Sequence, residues 1–450
     1  MRESSEKPRR EFGRRCQKWV SLECYNPPMF ALLLMFAASF AQTPATRFQA
    51  SVEEAQVAAR NGRPADAIAK YQQALDISSR NADAEVGLAQ AYRAVHNYDE
   101  AKNILERSAR EHPKNAAPLA VLGDLEIELQ TYAAAVRHLN AALALKPDDD
   151  SARIWLAVAY KSKGDVPNAL AELAKVLARD PKNALAYYER AQIHADRNEN
   201  ATALRDAQKA VDLQPNPAGR LLLAKVLLRA PPGEAASDSA KRCARAANAL
   251  EPLMPERASD SETLFLLSRA YQCAGQNEQA EKTLAEFEIA SKNDRTTKEN
   301  QTEAKHLVQQ ANDAAMKNDF QGALDLLQQA LAKDPTYAAA YSQLAKLYYS
   351  AGDVEKASDA ISWALARNPY QPDFLYVQGK ILEKQGKLDE ALAAFQQTAL
   401  VNPKEADAYF EMGAIYQQRN DRERALAAYK KAVELSPDDP DYRKALAAMQ

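Results

Sequence analysis

Residues 152–181 contain the pattern that decides the fold: A-R-I-W-L-A-V-A-Y-K-S-K-G-D-V-P-N-A-L-A-E-L-A-K-V-L-A-R-D-P. Apolar residues recur every three or four positions in Ala152–Lys161, which predicts an amphipathic helix. The polar turn Lys163–Val166 follows, and a second amphipathic run carries A-L-A-E-L-A-K-V-L at Ala169–Leu177. Pro181 ends the unit, because proline cannot continue a helix and disfavours helical geometry in the residue before it. The stretch therefore predicts two helices joined by a short turn.

The same unit recurs along the chain. Two series of prolines, each with a spacing of 34 residues, end its copies: Pro113, Pro147, Pro181 and Pro215, then Pro335, Pro369, Pro403 and Pro437. Twelve residues before every one of these prolines stands an alanine, and twelve residues earlier again stands an alanine or a glycine. Small residues at fixed positions indicate two helices that cross closely, since larger side chains would hold the backbones apart. Strand patterns are essentially absent, so the chain is predicted to be all-α.

The period and the markers resemble those of the tetratricopeptide repeat (TPR) family, whose pattern is W-x2-L-G-x2-Y, then A-x3-F, then P. The L-G pair is present as Leu122-Gly123, and A-x3-F is present as Ala391–Phe395. The tyrosine of the pattern is matched at five places: Tyr92, Tyr160, Tyr271, Tyr348 and Tyr416. The resemblance covers about eleven repeats and implies a right-handed superhelical solenoid of helix–turn–helix units.

Breaks in the 34-residue phase predict the domain organisation. Residues 42–290 form a first TPR block of about seven repeats, the sixth irregular because A-P-P-G-E-A-A-S-D at Ala230–Asp238 lengthens its turn. Residues 304–450 form a second block of four repeats with a short polar capping helix at the end. The polar stretch 291–303 between them is predicted to be a linker or hinge, formed either as a loop or as a helix of marginal stability.

Residues 1–41 have the pattern of a secretory signal. A basic head precedes the apolar run M-F-A-L-L-L-M-F-A-A-S-F-A at Met29–Ala41, which is shorter than the roughly twenty residues of a membrane span. Small residues end the run, as signal peptidase requires, so cleavage is expected after Ala41. Three alternatives stay open: translation from Met29, an N-terminal membrane anchor, and a cytoplasmic protein with an uncleaved leader. After cleavage no stable membrane span is expected.

The composition and motifs give no support for catalysis or for cofactor binding. The net charge is −3 with 26% charged residues, so no excess of positive charge points to nucleic acid. The five histidines stand singly without metal-ligand spacing, and neither a phosphate-binding loop nor a hydrolase motif is present. The sequence therefore predicts a protein that is not an enzyme and that holds no cofactor or metal.

The four cysteines divide into two pairs. Cys16 and Cys24 precede the predicted cleavage site and would be lost with the leader. Cys243 and Cys273 lie in neighbouring predicted helices, where they are either a disulfide of an exported protein or buried free thiols.

The TPR resemblance implies where a partner would bind. In this family the first helix of each repeat lines the concave inner face, and peptides or partner segments lie along it. The inward positions are three before, one after and four after the small residue of that helix, and the candidate partner-binding residues there are Arg93, Lys161, Tyr188, Gln192, Asn312, Ser342, Lys346, Tyr349, Tyr376, Lys380, Phe410 and Gln417. Aromatic residues are common at binding hot spots. The alternative is that several of these side chains only pack between adjacent helices.

These observations predict an exported scaffold that binds other proteins or peptides on its concave surface without doing chemistry. A role in cell-envelope assembly or trafficking follows only by analogy with exported members of the family. Two other functions stay open: a scaffold of a polysaccharide synthesis or export machine, and a cytoplasmic regulatory module if the leader is not cleaved.

Overall fold

The computed structural model describes residues 43–229 and 235–449, so the leader with Cys16 and Cys24 lies outside the described residues. Within these ranges the regular structure is helical, and no strand is present. The α-helices, in chain order, are α1 (Pro44–Arg60), α2 (Pro64–Ile77), α3 (Ala82–Ala94), α4 (Tyr98–Glu111), α5 (Ala116–Glu128), α6 (Tyr132–Leu145), α7 (Asp150–Ser162), α8 (Val166–Arg179), α9 (Ala184–Asp196), α10 (Asn200–Leu213), α11 (Pro217–Leu227), α12 (Ala236–Leu250), α13 (Met254–Arg257), α14 (Ser261–Cys273), α15 (Asn277–Met316), α16 (Phe320–Lys333), α17 (Ala338–Ser350), α18 (Val354–Arg367), α19 (Pro372–Lys384), α20 (Leu388–Val401), α21 (Ala406–Gln418), α22 (Arg422–Leu435) and α23 (Pro440–Met449). None of them has the length and apolar character that crossing a membrane demands.

Consecutive helices pack as antiparallel hairpins, which are the repeats. Repeats one to five are α1/α2 to α9/α10, and repeat six is α11/α12; repeats nine to eleven are α17/α18, α19/α20 and α21/α22. Helix α15 supplies the second helix of repeat seven, after α14, and the first helix of repeat eight, before α16. The first helices of neighbouring repeats contact each other from α1 to α19, whereas the second helices lie further apart. On a curved array the closer layer is the inner one, so the first helices form the concave wall, and the predicted all-α solenoid is confirmed.

Capping side chains and turn residues mark the ends of many of the helices. Asn and Asp side chains cap helix N-termini, as where Asn81 Oδ1 accepts from the Ala84 backbone N–H (2.9 Å). In every repeat except the sixth, whose turn is not fully described, the turn contains one residue with left-handed backbone, such as Gly164 (φ 81°) and Gln130 (φ 58°). Glycine adopts this conformation without steric cost, whereas Gln130 does not.

The small residues of the sequence pattern lie where the two helices of a hairpin cross. A Cβ atom added to Gly379 would meet Phe395 Cε1 at 2.5 Å, and one added to Gly413 would meet Tyr429 Cδ1 at 2.6 Å. Both distances are far below van der Waals contact. The predicted close crossing of the helices is therefore present, and Gly379 and Gly413 have no room for a Cβ atom against their aromatic partners.

Helix α15 runs for 40 residues through the polar stretch 291–303. Residues 292–299 in this stretch are exposed, and buried residues resume at Ala304. Of the two forms open from the sequence, the structure has the helix and not the loop. Bending at this stretch stays a prediction.

Repeats six and seven are joined covalently. Cys243 in α12 and Cys273 at the end of α14 form a disulfide, so the disulfide alternative of the sequence analysis is the one present. Residues 230–234, in the lengthened turn of repeat six, lie outside the described part of the chain.

Repeat ten contacts repeats one and two at the start of the solenoid. Leu375 and Val401, from repeat ten, belong to the same apolar cluster as the core of repeats one and two, and α20 packs against α2. Asn97 Nδ2 donates a hydrogen bond to the Val401 carbonyl (2.8 Å). Val401 is 1% exposed, whereas Leu145 at the equivalent position of repeat three is 42% exposed. The superhelix therefore closes on itself through an interface that we call the closure contact: α2 and Asn97 on one side, Leu375 and α20 on the other.

Candidate functional site

Ion pairs between successive first helices line the concave wall of the first block. Arg93 on α3 donates to Asp124 Oδ2 (2.6 Å) and to Glu128 Oε2 (2.5 Å), both on α5. Lys161 on α7 forms an ion pair with Glu189 Oε2 (2.9 Å) and donates to Gln192 Oε1 (2.8 Å), both on α9. Both basic residues were predicted to contact a partner, and the structure shows that they also tie adjacent repeats together.

Burial and the ion pairs shift the pKa of Arg93 in opposite directions. Burial alone would lower the pKa of its guanidinium, but the hydrogen bonds and charges of Asp124 and Glu128 outweigh this and raise the pKa. Arg93 is therefore held as a cation whose charge is largely compensated. Tyr188 is likewise engaged within the wall, since Gln192 Nε2 donates to its hydroxyl (2.6 Å).

A groove on the wall of the second block brings four of the predicted residues together. It lies between α17, α19 and α21 and encloses about 410 Å³. We call it the inner groove, and its lining residues are Lys346, Tyr349, Ser350, Asp373, Tyr376, Val377, Lys380, Glu405 and Asp407. The predicted residues among them are Lys346, Tyr349, Tyr376 and Lys380.

One side of the inner groove combines two aromatic rings with lysines. Lys380 Nζ lies 2.8 Å from Glu383 Oε2 and 2.9 Å from Glu411 Oε1, and the Tyr376 hydroxyl donates to the same Glu411 oxygen (3.3 Å). Burial would lower the pKa of Lys380, but its bonds to the two carboxylates prevail and raise it. Burial also raises the pKa of Tyr376, with the Glu411 charge adding to the effect. Both groups therefore keep their protons at neutral pH.

Lysines also flank Tyr349. Lys384 Nζ lies 4.6 Å from the centroid of its ring, within cation–π range. Lys346 is exposed, and no ion pair or hydrogen bond of its ammonium group is present among the described residues. Tyr349 and Lys346 thus present an aromatic ring and an uncompensated positive charge to the groove.

The other end of the inner groove is acidic. Asp373, Glu405 and Asp407 converge there; Asn402 Nδ2 donates to Glu405 Oε2 (2.9 Å), and the Tyr442 hydroxyl donates to Asp407. Burial raises the pKa of Glu405, and the like charges of Asp407 and Asp373 raise it further. This end of the groove therefore carries excess negative charge that a cation would compensate.

Other predicted residues lie outside the groove. Ser342 is buried because α17 packs against α15, α18 and α19, so the packing alternative is favoured here and a role in partner binding stays a prediction. Phe410 packs between the rings of Tyr429 (5.6 Å) and Tyr442 (4.9 Å), which favours the packing alternative for this residue. Gln417 is exposed and accepts from the Tyr429 hydroxyl (2.8 Å). Asn312 is half-buried on α15.

The acidic end was missed by the sequence analysis, which considered only positions three before, one after and four after the small residue. Asp373 and Asp407 both stand six residues before the small residue of their helix, in successive repeats 34 residues apart. A search for charge conserved in phase between neighbouring repeats would have found them. Glu405 carries the same signal, because Asp439 stands 34 residues after it.

The chain consists of paired helices that share a concave wall, and the wall carries a groove. This architecture places it in the class of α-helical solenoids. Within this class the chain belongs to the tetratricopeptide repeat family, because family models described as tetratricopeptide repeat match more than half of it: residues 58–125, 126–193, 314–381 and 376–440.

Three solved structures similar to this chain are a TPR protein with an unusual peptide-binding site (YrrB), MamA and yeast Tom70. YrrB is 27% identical, and the match covers 38% of this chain and 94% of YrrB with a TM-score of 0.31. MamA is 20% identical, with coverage of 36% and 94% and a TM-score of 0.32. Yeast Tom70 is 14% identical, with coverage of 89% and 94% and a TM-score of 0.30. A comparison with curated proteins gives no match.

Proposed function

We propose that this chain is a protein-interaction scaffold that holds an extended segment of a partner protein in the inner groove. The observation that carries the proposal is the convergence of Lys346, Tyr349, Tyr376 and Lys380 on one groove of the concave wall. Two aromatic rings offer apolar contact area at low cost in side-chain entropy, and charged groups flank them on both sides.

The charges of the groove specify the chemistry of the segment. An apolar or aromatic side chain of the partner packs against Tyr349 and Tyr376. A Lys or Arg side chain of the partner lies at the acidic end, where it compensates Asp373, Glu405 and Asp407. A partner carboxylate pairs with Lys346. Complementary charge of this kind contributes more to specificity and association rate than to affinity, and it weakens with added salt.

The proposed role is binding without catalysis. General acid–base catalysis at neutral pH needs a group whose pKa lies near 7. The shifts of Lys380 and Tyr376 in the groove both move the pKa upward and away from that range. Their hydrogen bonds to Glu411 fix the wall of the groove.

The proposed location is the cell envelope or beyond it. The Cys243–Cys273 disulfide supports this location, because disulfides persist mainly in oxidising compartments. The signal-like pattern of residues 1–41 supports it from the sequence. The mature N-terminus, determined by mass spectrometry after expression in a bacterium, tests it: a start at Gln42 in the envelope fraction supports export, and an intact leader in the cytosol contradicts it.

Photo-crosslinking tests the binding role. A photoreactive amino acid at Ser350, on the edge of the inner groove, is expected to crosslink to a segment that carries a basic residue beside an apolar one. Tyr349→Ala and Lys346→Glu should each reduce the crosslink at least fivefold, because they remove the aromatic contact and reverse the positive charge.

Lys430→Glu is the matched control, since Lys430 is an exposed lysine on α22, a second helix, away from the groove. The control should leave the crosslink unchanged. Equal loss in all three variants, or in none, contradicts the proposal. A crosslinked glycan in place of a peptide would support the polysaccharide alternative.

A further inference from the structure

Repeat two contains two buried polar atoms without hydrogen-bond partners that face each other. Glu85 on α3 is 1% exposed, and neither its Oε2 nor Nε2 of His112, the residue that follows α4, makes a hydrogen bond. The two atoms lie 3.4 Å apart. A buried carboxylate oxygen without a partner is costly, so its persistence beside a second unpaired ligand atom needs a physical explanation.

Repeat three shows what a satisfied pair of the same residue types looks like. His138 Nδ1 and Glu126 Oε2 are hydrogen-bonded at 2.8 Å, and Glu126 is as buried as Glu85. Charge-assisted hydrogen bonds have this length. The separation of Glu85 and His112 is longer by more than half an ångström and does not meet hydrogen-bond geometry. Burial therefore does not itself prevent a Glu–His hydrogen bond in this fold, and the Glu85–His112 pair is arranged differently.

A third ligand atom completes the arrangement. The carboxylate of Glu111, the last residue of α4, lies within 4.8 Å of both the Glu85 oxygen and His112 Nε2. Two ligands of a tetrahedral Zn²⁺ at about 2.0–2.1 Å from the ion are about 3.3–3.4 Å apart, which matches the Glu85–His112 separation. The negative end of the α4 helix dipole lies at the same place and favours a cation. We propose that Glu85, Glu111 and His112 bind one Zn²⁺ ion.

A cleft lies beside the ligand set, and one coordination position stays free. His112 lines this cleft of about 660 Å³ between repeats two and three, together with Lys146 and Asp149, although its Nε2 atom is buried. Three protein ligands leave a fourth position for water. The equivalent positions of repeat three are Leu119, Leu145 and Lys146, so the ligand set is a property of repeat two and not of the repeat pattern.

Zinc titration of the full chain tests the site. Cys16 and Cys24 are replaced by serine in every variant, because free thiols also bind zinc. Isothermal titration with Zn²⁺ alone is expected to show one equivalent bound, and X-ray absorption of the bound zinc should show only nitrogen and oxygen ligands. Glu85→Gln and His112→Gln should each weaken binding at least tenfold, and the exposed Glu111→Gln should weaken it severalfold.

His138→Gln is the matched control, because it removes the histidine of the hydrogen-bonded pair in the next repeat and should leave zinc affinity unchanged. Circular dichroism of the zinc-free variants separates loss of the site from loss of the fold, and Glu111→Gln, at an exposed position, provides a variant that does not disturb the core. Absence of binding, or equal affinity in Glu85→Gln, His112→Gln and His138→Gln, would overturn the inference. Sulfur ligands at the zinc would also overturn it.

Discussion

At the residue scale, the turn inside every repeat but the sixth has one left-handed backbone position. Glycine occupies it at Gly164 and Gly352, but Gln130 occupies it in repeat three with φ 58°. The left-handed conformation costs an L-residue about 1–2 kcal/mol, and glycine avoids this cost while losing about 0.5–1 kcal/mol of unfolded-state entropy. Gln130 is exposed, and none of the described hydrogen bonds involves its side chain, so it has nothing to offset the strain.

Gln130→Gly is therefore expected to raise the free energy of unfolding by about 0.5–1 kcal/mol. Denaturant unfolding followed by circular dichroism measures this value. Gly164→Gln makes the reverse change at the equivalent position of repeat four and should lower stability by a similar amount. A loss of stability in both variants would show that the turn is not strained at Gln130.

The carboxylate of Glu405 gives a pH-dependent prediction. Because its pKa is raised in the folded chain, the folded state binds the proton more tightly than the unfolded state. This group therefore lowers stability as pH rises from the ordinary glutamate value through the raised value. Glu405→Gln should raise Tm at about pH 7 and change it much less at about pH 4, where the carboxylate is largely protonated. An equal gain at both pH values would contradict the assignment to charge.

Sequence alone predicted part of the residue-scale picture. The 34-residue phase correctly placed Lys346, Tyr349, Tyr376 and Lys380 on one wall, because helical periodicity fixes the direction of each side chain. It did not predict that Ser342 is buried, since the cover over a side chain depends on how closely the neighbouring helices approach. The sequence likewise did not predict that Glu85 and His112 face each other, because Glu85 lies on α3 and His112 follows α4.

At the scale of the helical hairpin, the crossing point is matched in size. Glycine stands opposite an aromatic ring at Gly379 and Phe395, whereas repeat four combines Ala157 with Leu173 at the same positions. In these two hairpins the larger partner goes with the smaller residue. Repeat three differs, because Gly123 lies opposite Leu139.

Gly379→Ala is expected to destabilise the chain by about 1–3 kcal/mol, because the added methyl group would overlap the Phe395 ring. Phe395→Leu in the same chain should recover part of the loss by restoring the combination found in repeat four. Thermal unfolding of the two single variants and the double variant measures the coupling between the positions. Strict additivity would contradict size matching.

The hairpins were predictable because their apolar stripes and turn residues are local signals. The continuity of α15 was not, since residues 291–303 carry no apolar stripe and would suit a loop equally well. The packed helix on each side of this stretch explains why it is helical. Ala290 is buried in repeat seven and Ala304 in repeat eight, so helix extends into the stretch from both ends. Propagating a formed helix costs less than nucleating a new one.

At the scale of the whole molecule, the closure contact gives a direct test. Val401→Asp would bury an unpaired charge in an apolar cluster at a cost of at least about 3 kcal/mol, so the contact should open and the radius of gyration should increase. Small-angle X-ray scattering measures this increase. Leu145→Asp changes the equivalent position of repeat three, which is exposed, and should leave the radius unchanged. An unchanged radius in Val401→Asp would show that the ends do not depend on this contact.

No local pattern could have predicted the closure contact. Asn97 and Val401 are 304 residues apart, and the contact depends on the small rotation between successive repeats summed over a whole turn. A minor error in each rotation would separate the ends. In the sequence, the contact shows only as an apolar residue, Val401, at a repeat position that can be exposed. Leu145 occupies the same position of repeat three without being covered, so such a residue does not by itself predict a contact.

The closure contact also changes how the chain should melt. In an open repeat array each unit contacts only its neighbours, so terminal units fray independently at low free energy. Here repeats one and two cover part of repeat ten, so α2 and α20 should open together as one cooperative unit. Native-state hydrogen exchange would then report the same opening free energy for α2 and α20. Amides in the exposed middle of α15 should exchange through smaller openings than these.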